Sequence, residues 1–238
     1  MFHLHVTNTV NAAADNKKAT ILVDTTNHDI LIGRLESQFG VCGGVCSWLR
    51  LYLTGRQQFV KVGDHSSATT QCVSGVPHGS VLSPLLFAAY VSPVGDLIES
   101  DGVLYHQFAD DTQLLITMNV NDASPAPKRL AACSAALRLR FLQNDLLLNS
   151  DKSEVVILGT APQLRSAAVI RVVDVADGRL QVAPKLKSLG VAIDSHLWFD
   201  YHVRNVARAC SYHTRTLRHV RSLLTNDLAQ TVACSIQT

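Results

Sequence analysis

VLYHQFADDTQLLITM, residues 103–118, sets two adjacent aspartates, Asp110 and Asp111, between two apolar runs. Short runs rich in aliphatic, aromatic and β-branched residues on either side of a polar pair predict a hairpin, with the aspartates at its turn. Asp favours turns through hydrogen bonds to its own neighbouring backbone, so a plain polar turn accounts for the pair without any chemistry. The same geometry has a second use. A tight hairpin presents neighbouring carboxylates at one spot, and nucleotidyl transfer with two divalent cations needs carboxylates that converge on metals roughly 3.5–4 Å apart. Such a site calls for a further carboxylate from an adjacent strand. Asp24, at the end of the apolar run KKATILVD (17–24), is the candidate.

Outward from the hairpin, the chain alternates strand and helix patterns. KKATILVD reads as a buried strand, and His28 to Phe39 reads as a helix with Leu31, Leu35 and Phe39 on one face. A second helix from about Val45 to Thr54 stops at Gly55. Gln58 to Val62 and Thr69 to Val73 look like the arms of a β-ribbon around GDHSS. The loop SGVPHGSVLSP (74–84) leads into LLFAAYVSPVGDLIES, which has helical length and spacing. Beyond the hairpin, Lys128 to Leu148 reads as an amphipathic helix, EVVILG (154–159) as a buried strand, and VIRVVDVADGRLQVAP as a hairpin turning on Asp177 and Gly178. KSLGVAID adds one more strand. From Tyr201 to Asn226 the pattern is helical, with Arg204, Arg208, Arg215, Arg218 and Arg221 and no acidic residue. NDASPAP (121–127) is a loop too short to separate domains.

The bulk composition narrows the class. Hydrophobic residues make up 47% and charged residues 17%, an ordinary globular balance that excludes a disordered or low-complexity chain. The formal charge of +2 argues for no acidic partner by itself; the clustering of arginines after Tyr201 does. No stretch approaches the roughly 18 apolar residues of a membrane span, and the N-terminus lacks the pattern of a secretory signal. The six cysteines are scattered, and the Cys42 and Cys46 spacing is unlike a zinc pair, so they read as reduced core thiols in an intracellular setting.

Four ordered blocks carry a resemblance: SGVPHGSVLSPLLFAAYVSPV (74–94), QFADDTQLL (107–115), LNSDKSEVVILGT (148–160) and LKSLGVAIDSHLWFDYHVRNVARA (186–209). In this order and spacing they resemble the reverse transcriptase of a non-LTR, LINE-type retrotransposon. HDILIGRLESQFGVCGGVCSWLRLYLTGRQQFV (28–60) is similar to the family's link between its first palm strand and its GVPQGS loop, so the likeness covers most of residues 20–238. The fold it implies is α/β of the α+β kind: a palm with an antiparallel sheet and packed helices, with the fingers largely absent and a partial helical thumb. Its boundaries would be a non-matching segment at 1–16, the palm at 17–188, and a primer-grip strand with part of the thumb at 189–238.

The resemblance also implies roles. FADD resembles the family's catalytic hairpin, making Asp110 the principal metal ligand, Asp111 its companion and Mg²⁺ (or Mn²⁺) the cofactor. GVPHGS resembles the loop beside the incoming nucleotide and template, matched at Gly75, Pro77, Gly79 and Ser80, with His78 where the family usually has Gln and Ser83 where it usually has Gly. Lys152 matches the lysine near the leaving pyrophosphate. LGVAID resembles the primer grip, and the arginines after Tyr201 would contact phosphates as the thumb does. The implied partners are an RNA template, a DNA primer and deoxynucleoside triphosphates, in the nucleus or cytoplasm and with no membrane.

The first metal motif departs from the family. One alignment of ILVDTTNHDIL makes Asp24 the ligand and implies about six lost residues, including an aromatic. The other keeps the length, puts Lys18 at the metal position and has no third carboxylate. The apolar run before Asp24 favours the first. Two functions follow: an RNA-directed DNA polymerase domain, as a truncated copy, or a catalytically inactive remnant that at most binds nucleic acid.

Overall fold

The structure is a computed structural model that describes residues 2–12, 26–77, 80–119 and 124–236, with the backbone alone for 2–12, Val62 and 233–236. The chain divides into two compact units, residues 1–184 and 185–238.

The first unit opens with strand β1 (Phe2–Ala12). Helices α1 (His28–Phe39) and α2 (Gly44–Leu53) follow, then the short strands β2 (Arg56–Gln58), β3 (Lys61–Val62), β4 (His65–Ser66) and β5 (Thr70–Cys72). Next come α3 (Ser83–Val91), α4 (Pro93–Ser100), the hairpin β6 (Leu104–Phe108) and β7 (Asp111–Met118), and the long helix α5 (Pro125–Leu142). Strand β8 (Leu146–Leu158), helix α6 (Ala161–Ala167) and the hairpin β9 (Val172–Val175) and β10 (Gly178–Ala183) complete it.

Six strands form one sheet in the order β6-β7-β1-β8-β10-β9, antiparallel except where β10 runs parallel to β8. Helix α5 packs on β7, β8 and β9, and α4 packs on α5 and β6. Along β7 burial alternates strictly: Thr112, Leu114, Ile116 and Met118 point into the core, while Asp111, Gln113, Leu115 and Thr117 lie on the half-covered face. Leu130, Cys133, Leu137 and Phe141 of α5 fill the space above them. Each such aliphatic or aromatic side chain contributes about 1.5–3 kcal/mol by leaving water. The α+β class with an antiparallel sheet and packed helices is therefore the observed one.

The second unit begins with hairpin β11 (Lys185–Ser188) and β12 (Val191–Asp194), followed by α7 (Asp200–Val220), a 3₁₀ turn at Arg221–Leu223 and α8 (Asn226–Ile236).

Several elements differ from their sequence reading, each for a local reason. Phe2–Ala12, not read as a strand at all, is an interior strand of the sheet, whereas the expected strand 17–24 lies outside the described residues. The ribbon around GDHSS is two small ladders, β2 with β5 and β3 with β4. The helix expected after Pro84 is interrupted at Ser92, because Pro93 has no N–H to extend the preceding turn and instead starts α4. The helix expected to reach Leu148 ends at Leu142; Leu146 and Leu148 are buried and Leu147 exposed, a period of two that belongs to β8. KSLGVAID is a hairpin rather than one strand, its turn residues Leu189 and Gly190 both at positive φ, as a two-residue I′ turn requires. The helix from Tyr201 stops at Val220, and α8 starts after Thr225, whose Oγ1 accepts from the Leu228 N–H.

Cys42, Cys46, Cys72, Cys133 and Cys210 are free, and of these Cys46 and Cys133 are buried, Cys72 is half-buried and Cys42 and Cys210 are exposed; the side chain of Cys234 lies outside the described residues. Burial, reinforced by the Asp101 carboxylate, pushes the Cys133 thiol up to about 12. Under native conditions at pH 8, iodoacetamide should alkylate Cys42 and Cys210 and leave Cys133 intact until urea is added. Peptide mass mapping reads this, and native labelling of Cys133 would contradict its burial on the core-facing side of α5.

Candidate active site

The sheet register decides what stands beside the aspartate pair. Phe108 pairs with Asp111, so the hairpin turn is Ala109–Asp110: Asp110 lies in it, exposed at the tip, and Asp111 follows as the first residue of β7. Ala109 sits at φ 52°, a left-handed conformation that costs a non-glycine residue about 1 kcal/mol or more. The tip is held there by the ladder on both sides. Across the sheet, Asp111 pairs with Thr9 of β1, and Thr9 pairs in turn with Asn149 of β8. One row at this end of the sheet therefore reads Asp111, Thr9, Asn149.

Next to that row β8 carries a bulge, where the pairing with β1 shifts between Thr7 and Thr9. Asn149 fixes the bulge. Its Oδ1 accepts from the Asp151 N–H at 3.1 Å and the Lys152 N–H at 3.3 Å, while the buried Ser153 hydroxyl donates to the Asn149 carbonyl at 2.8 Å. Lys152 is exposed on this kink. It lies inside strand β8, ahead of the run EVVILG (154–159) expected as the strand, and three residues along from the row that holds Asp111.

The glycine loop is anchored at its start. The Gly75 N–H donates to the Thr26 carbonyl at 2.8 Å, and His28 Nε2 shares a 2.8 Å hydrogen bond with the Gly75 carbonyl. Gly75 adopts φ 86°, which allows both contacts. Val76 is buried, the Ser80 N–H donates to the Pro77 carbonyl at 3.2 Å, and the hydroxyls of Ser80 and Ser83 lie 2.7 Å apart. Ser83, which replaces a glycine in the family pattern, also donates to the Pro77 carbonyl and so closes the loop on itself. His78 and Gly79 lie outside the described residues, as does Asp24. An open cleft of about 580 Å³ adjoins the loop start, lined by Asn27, His28, Asp29, Thr54, Val73, Ser74 and Asp145.

A buried network that sequence reading missed braces this region. Tyr90 of α3, 0% exposed, donates from its hydroxyl to the Asn144 carbonyl at 2.8 Å and accepts from the Asn27 N–H at 3.3 Å. The Arg34 guanidinium lies 4.9 Å from the centre of the Tyr90 ring and donates to the Asn144 side chain. Burial, with Arg140 adding like charge against the opposing effect of Tyr90, pulls Arg34 below the ordinary arginine range. Asn27 in turn caps α1, its Oδ1 accepting from Asp29 and Ile30. Tyr90 lies in the apolar helical run LLFAAYV, where no local signal separates a network hydroxyl from ordinary core packing.

Residues 10–193 match the reverse transcriptase (RNA-dependent DNA polymerase) family. The chain belongs to that family. Two relatives come from Drosophila melanogaster: "Probable RNA-directed DNA polymerase from transposon BS", 27% identical over 203 residues, and "RNA-directed DNA polymerase from mobile element jockey", 27% identical over 179 residues. These relatives match 82% and 68% of this chain, but the chain spans only 21% and 17% of their length. Among solved structures, apo telomerase from Candida tropicalis shares the fold with a TM-score of 0.53 at 13% identity, over 84% of this chain and 35% of that one. Telomerase from Candida albicans gives 0.51 at 13%, over 82% and 30%.

For this reverse transcriptase family chain the donor set can be tested against a divalent cation. Asp110 and Asp111 supply hard carboxylate oxygens of the kind Mg²⁺ prefers. Among the described residues no third His, Cys, Asp or Glu side chain joins them in a metal-binding group, and the residue level with Asp111 on β1 is Thr9. The described residues thus fit part of the site. Arg204, Arg208, Arg215 and Arg218 lie on α7, with Arg221 in the 3₁₀ turn after it, all exposed in the second unit. No helix among the described residues is long and apolar enough to cross a membrane.

Tyr90→Phe would leave the Asn144 carbonyl and the Asn27 N–H without their shared partner. The expected loss is about 1–3 kcal/mol of stability, read as a lower urea midpoint. A midpoint unchanged from the parent chain would mean that the hydroxyl braces nothing.

Proposed function

We propose that this chain is the palm and the beginning of the thumb of an RNA-directed DNA polymerase that extends a DNA primer on an RNA template by nucleotidyl transfer. The observation that carries this reading is the hairpin that puts Asp110 at its tip and pairs Asp111 into the sheet, in a chain of this family. Asp110 and Asp111, with Asp24 as the third ligand, would hold Mg²⁺ or Mn²⁺. When bound, the metal lowers the pKa of the primer 3′-hydroxyl and offsets charge on the leaving oxygen.

The chain's own residues do the remaining work. Asp110 and Asp111 place negative charge at one strand end, where it orients cations. Lys152, held out by the Asn149 bulge, would give a proton or a positive charge to the departing pyrophosphate. Gly75, Pro77, His78, Gly79 and Ser80 would line the deoxynucleoside triphosphate and template, with Thr26 and His28 fixing where that loop begins. The arginines of α7, with Arg221, would track nucleic-acid phosphates.

One observation favours a second reading, a catalytically inactive remnant that only binds nucleic acid: the partner of Asp111 on the neighbouring strand is the neutral Thr9. Primer extension on an RNA template with Mg²⁺ or Mn²⁺ separates the two. The polymerase reading expects extension that falls by about 10²-fold or more in Asp110→Ala, the scale of losing one transition-state stabilising group. Salt-sensitive primer–template binding with no extension in either metal would establish the remnant instead.

A further inference from the structure

Trp198 is 68% exposed at the connection between β12 and α7, an unusual place for the side chain with the largest apolar surface. Its position is defined. The ring stacks on His196 with centroids 4.7 Å apart and planes 30° from parallel. Below it, one Asp194 carboxylate oxygen accepts from both the His196 and the Trp198 N–H groups, each at 3.0 Å. His196 covers one face of the indole, and most of the side chain is in water.

Two residues later begins α7, whose arginines fall on one side. At 3.6 residues per turn, Arg204, Arg208, Arg215 and Arg218 lie within about 80° of arc and span about 21 Å. All four are exposed. Val203, Val206, Cys210, Leu217 and Val220 occupy the opposite side. At the foot of the helix, Lys185 Nζ sits 3.3 Å from the centre of the Tyr201 ring, adding a further cation to the same end.

The other exposed tryptophan makes the contrast. Trp48 stacks on Tyr52 one helical turn away at 5.4 Å, and Arg56 covers Tyr52 at 5.5 Å, which is ordinary packing along a helix. The Trp198 stack is presented by a turn and stands at the end of a row of cations. Aromatic faces combined with a basic track are how proteins hold single strands, because every base has a π-face and every nucleotide a phosphate.

On the basis of the nucleic-acid reading above, we infer that Trp198, backed by His196, is a stacking platform for an unpaired nucleobase of a strand whose phosphates run along the arginine face of α7. Asp194 is a positioning residue for this platform. The strand is bound without regard to base identity.

The chain has two tryptophans, so Trp48→Phe leaves Trp198 as the only indole emitter. This full-length variant is titrated with a twelve-residue oligothymidylate and with an abasic strand of equal length. Stacking predicts saturable quenching by oligothymidylate and none by the abasic strand. In the parent chain, Trp198→Leu should weaken oligothymidylate binding about tenfold to a hundredfold, as measured by anisotropy, and leave abasic-strand binding unchanged. Trp198→Phe should fall between. Salt-dependent binding of both strands without quenching, and with unchanged affinity in Trp198→Leu, overturns the platform while leaving the arginine contacts standing. Absence of binding to either strand at low salt overturns both.

Discussion

The first unit depends on Phe2–Ala12 lying between β7 and β8. A two-stranded hairpin such as β6–β7 is marginal in water by itself, because too little of its apolar face is covered and one edge keeps its backbone groups unpaired. β1 supplies the missing edge to β7 and offers its own second edge to β8, so the hairpin, the long bulged strand and the β9–β10 hairpin become one surface. That surface is wide enough for α5 to cover strands from β7 to β9. The alternating burial of β7 is a consequence, since one face is sealed by the helices and the other is left half-covered for Asp111 and its neighbours.

The same pairing sets the chemistry within reach. Because β1 is antiparallel to both neighbours, its residue Thr9 falls between Asp111 and Asn149, which brings the hairpin tip and the Lys152 bulge to one end of the sheet. These residues are about forty positions apart in the chain, and only the strand register joins them. The glycine loop is fixed by another route, through Thr26 and His28 at the start of α1 and the buried Tyr90 hydroxyl behind them. The loop start and the segment just after Asp24 are thereby tied together.

In the second unit the decisive feature is what α7 does not bury. The helix is strongly two-sided, yet none of its residues is fully buried. An amphipathic helix normally draws its stability from covering its apolar stripe. Here the opposite side carries the exposed basic stripe, and the Asp194 carboxylate fixes the backbone of the turn that leads into the helix.

How much was legible follows from the range of the interactions concerned. Hairpin β6–β7, helix α1 and its cap, and the arginine stripe of α7 are local: a turn residue, an Asn before an apolar period or a 3.6-residue spacing states each within a dozen positions. The likeness in FADD, GVPHGS and the later blocks was legible because it is carried by short motifs in order. What the sequence could not show is which run supplies the central strand. FHLHVTNTVNA alternates, with Phe2, Leu4, Val6, Val10 and Ala12 apolar, which marks a strand without naming its neighbours, and the more apolar run KKATILVD lies outside the described residues. Strand pairing is decided by long-range backbone hydrogen bonding and by what covers each face, and neither is written in a strand's own residues. For the same reason the sequence named Asp110, Asp111 and Lys152 but could not set them at one sheet end, and nothing local marks the Tyr90 network, because the partners of its hydroxyl come from chain segments 54 and 63 residues away.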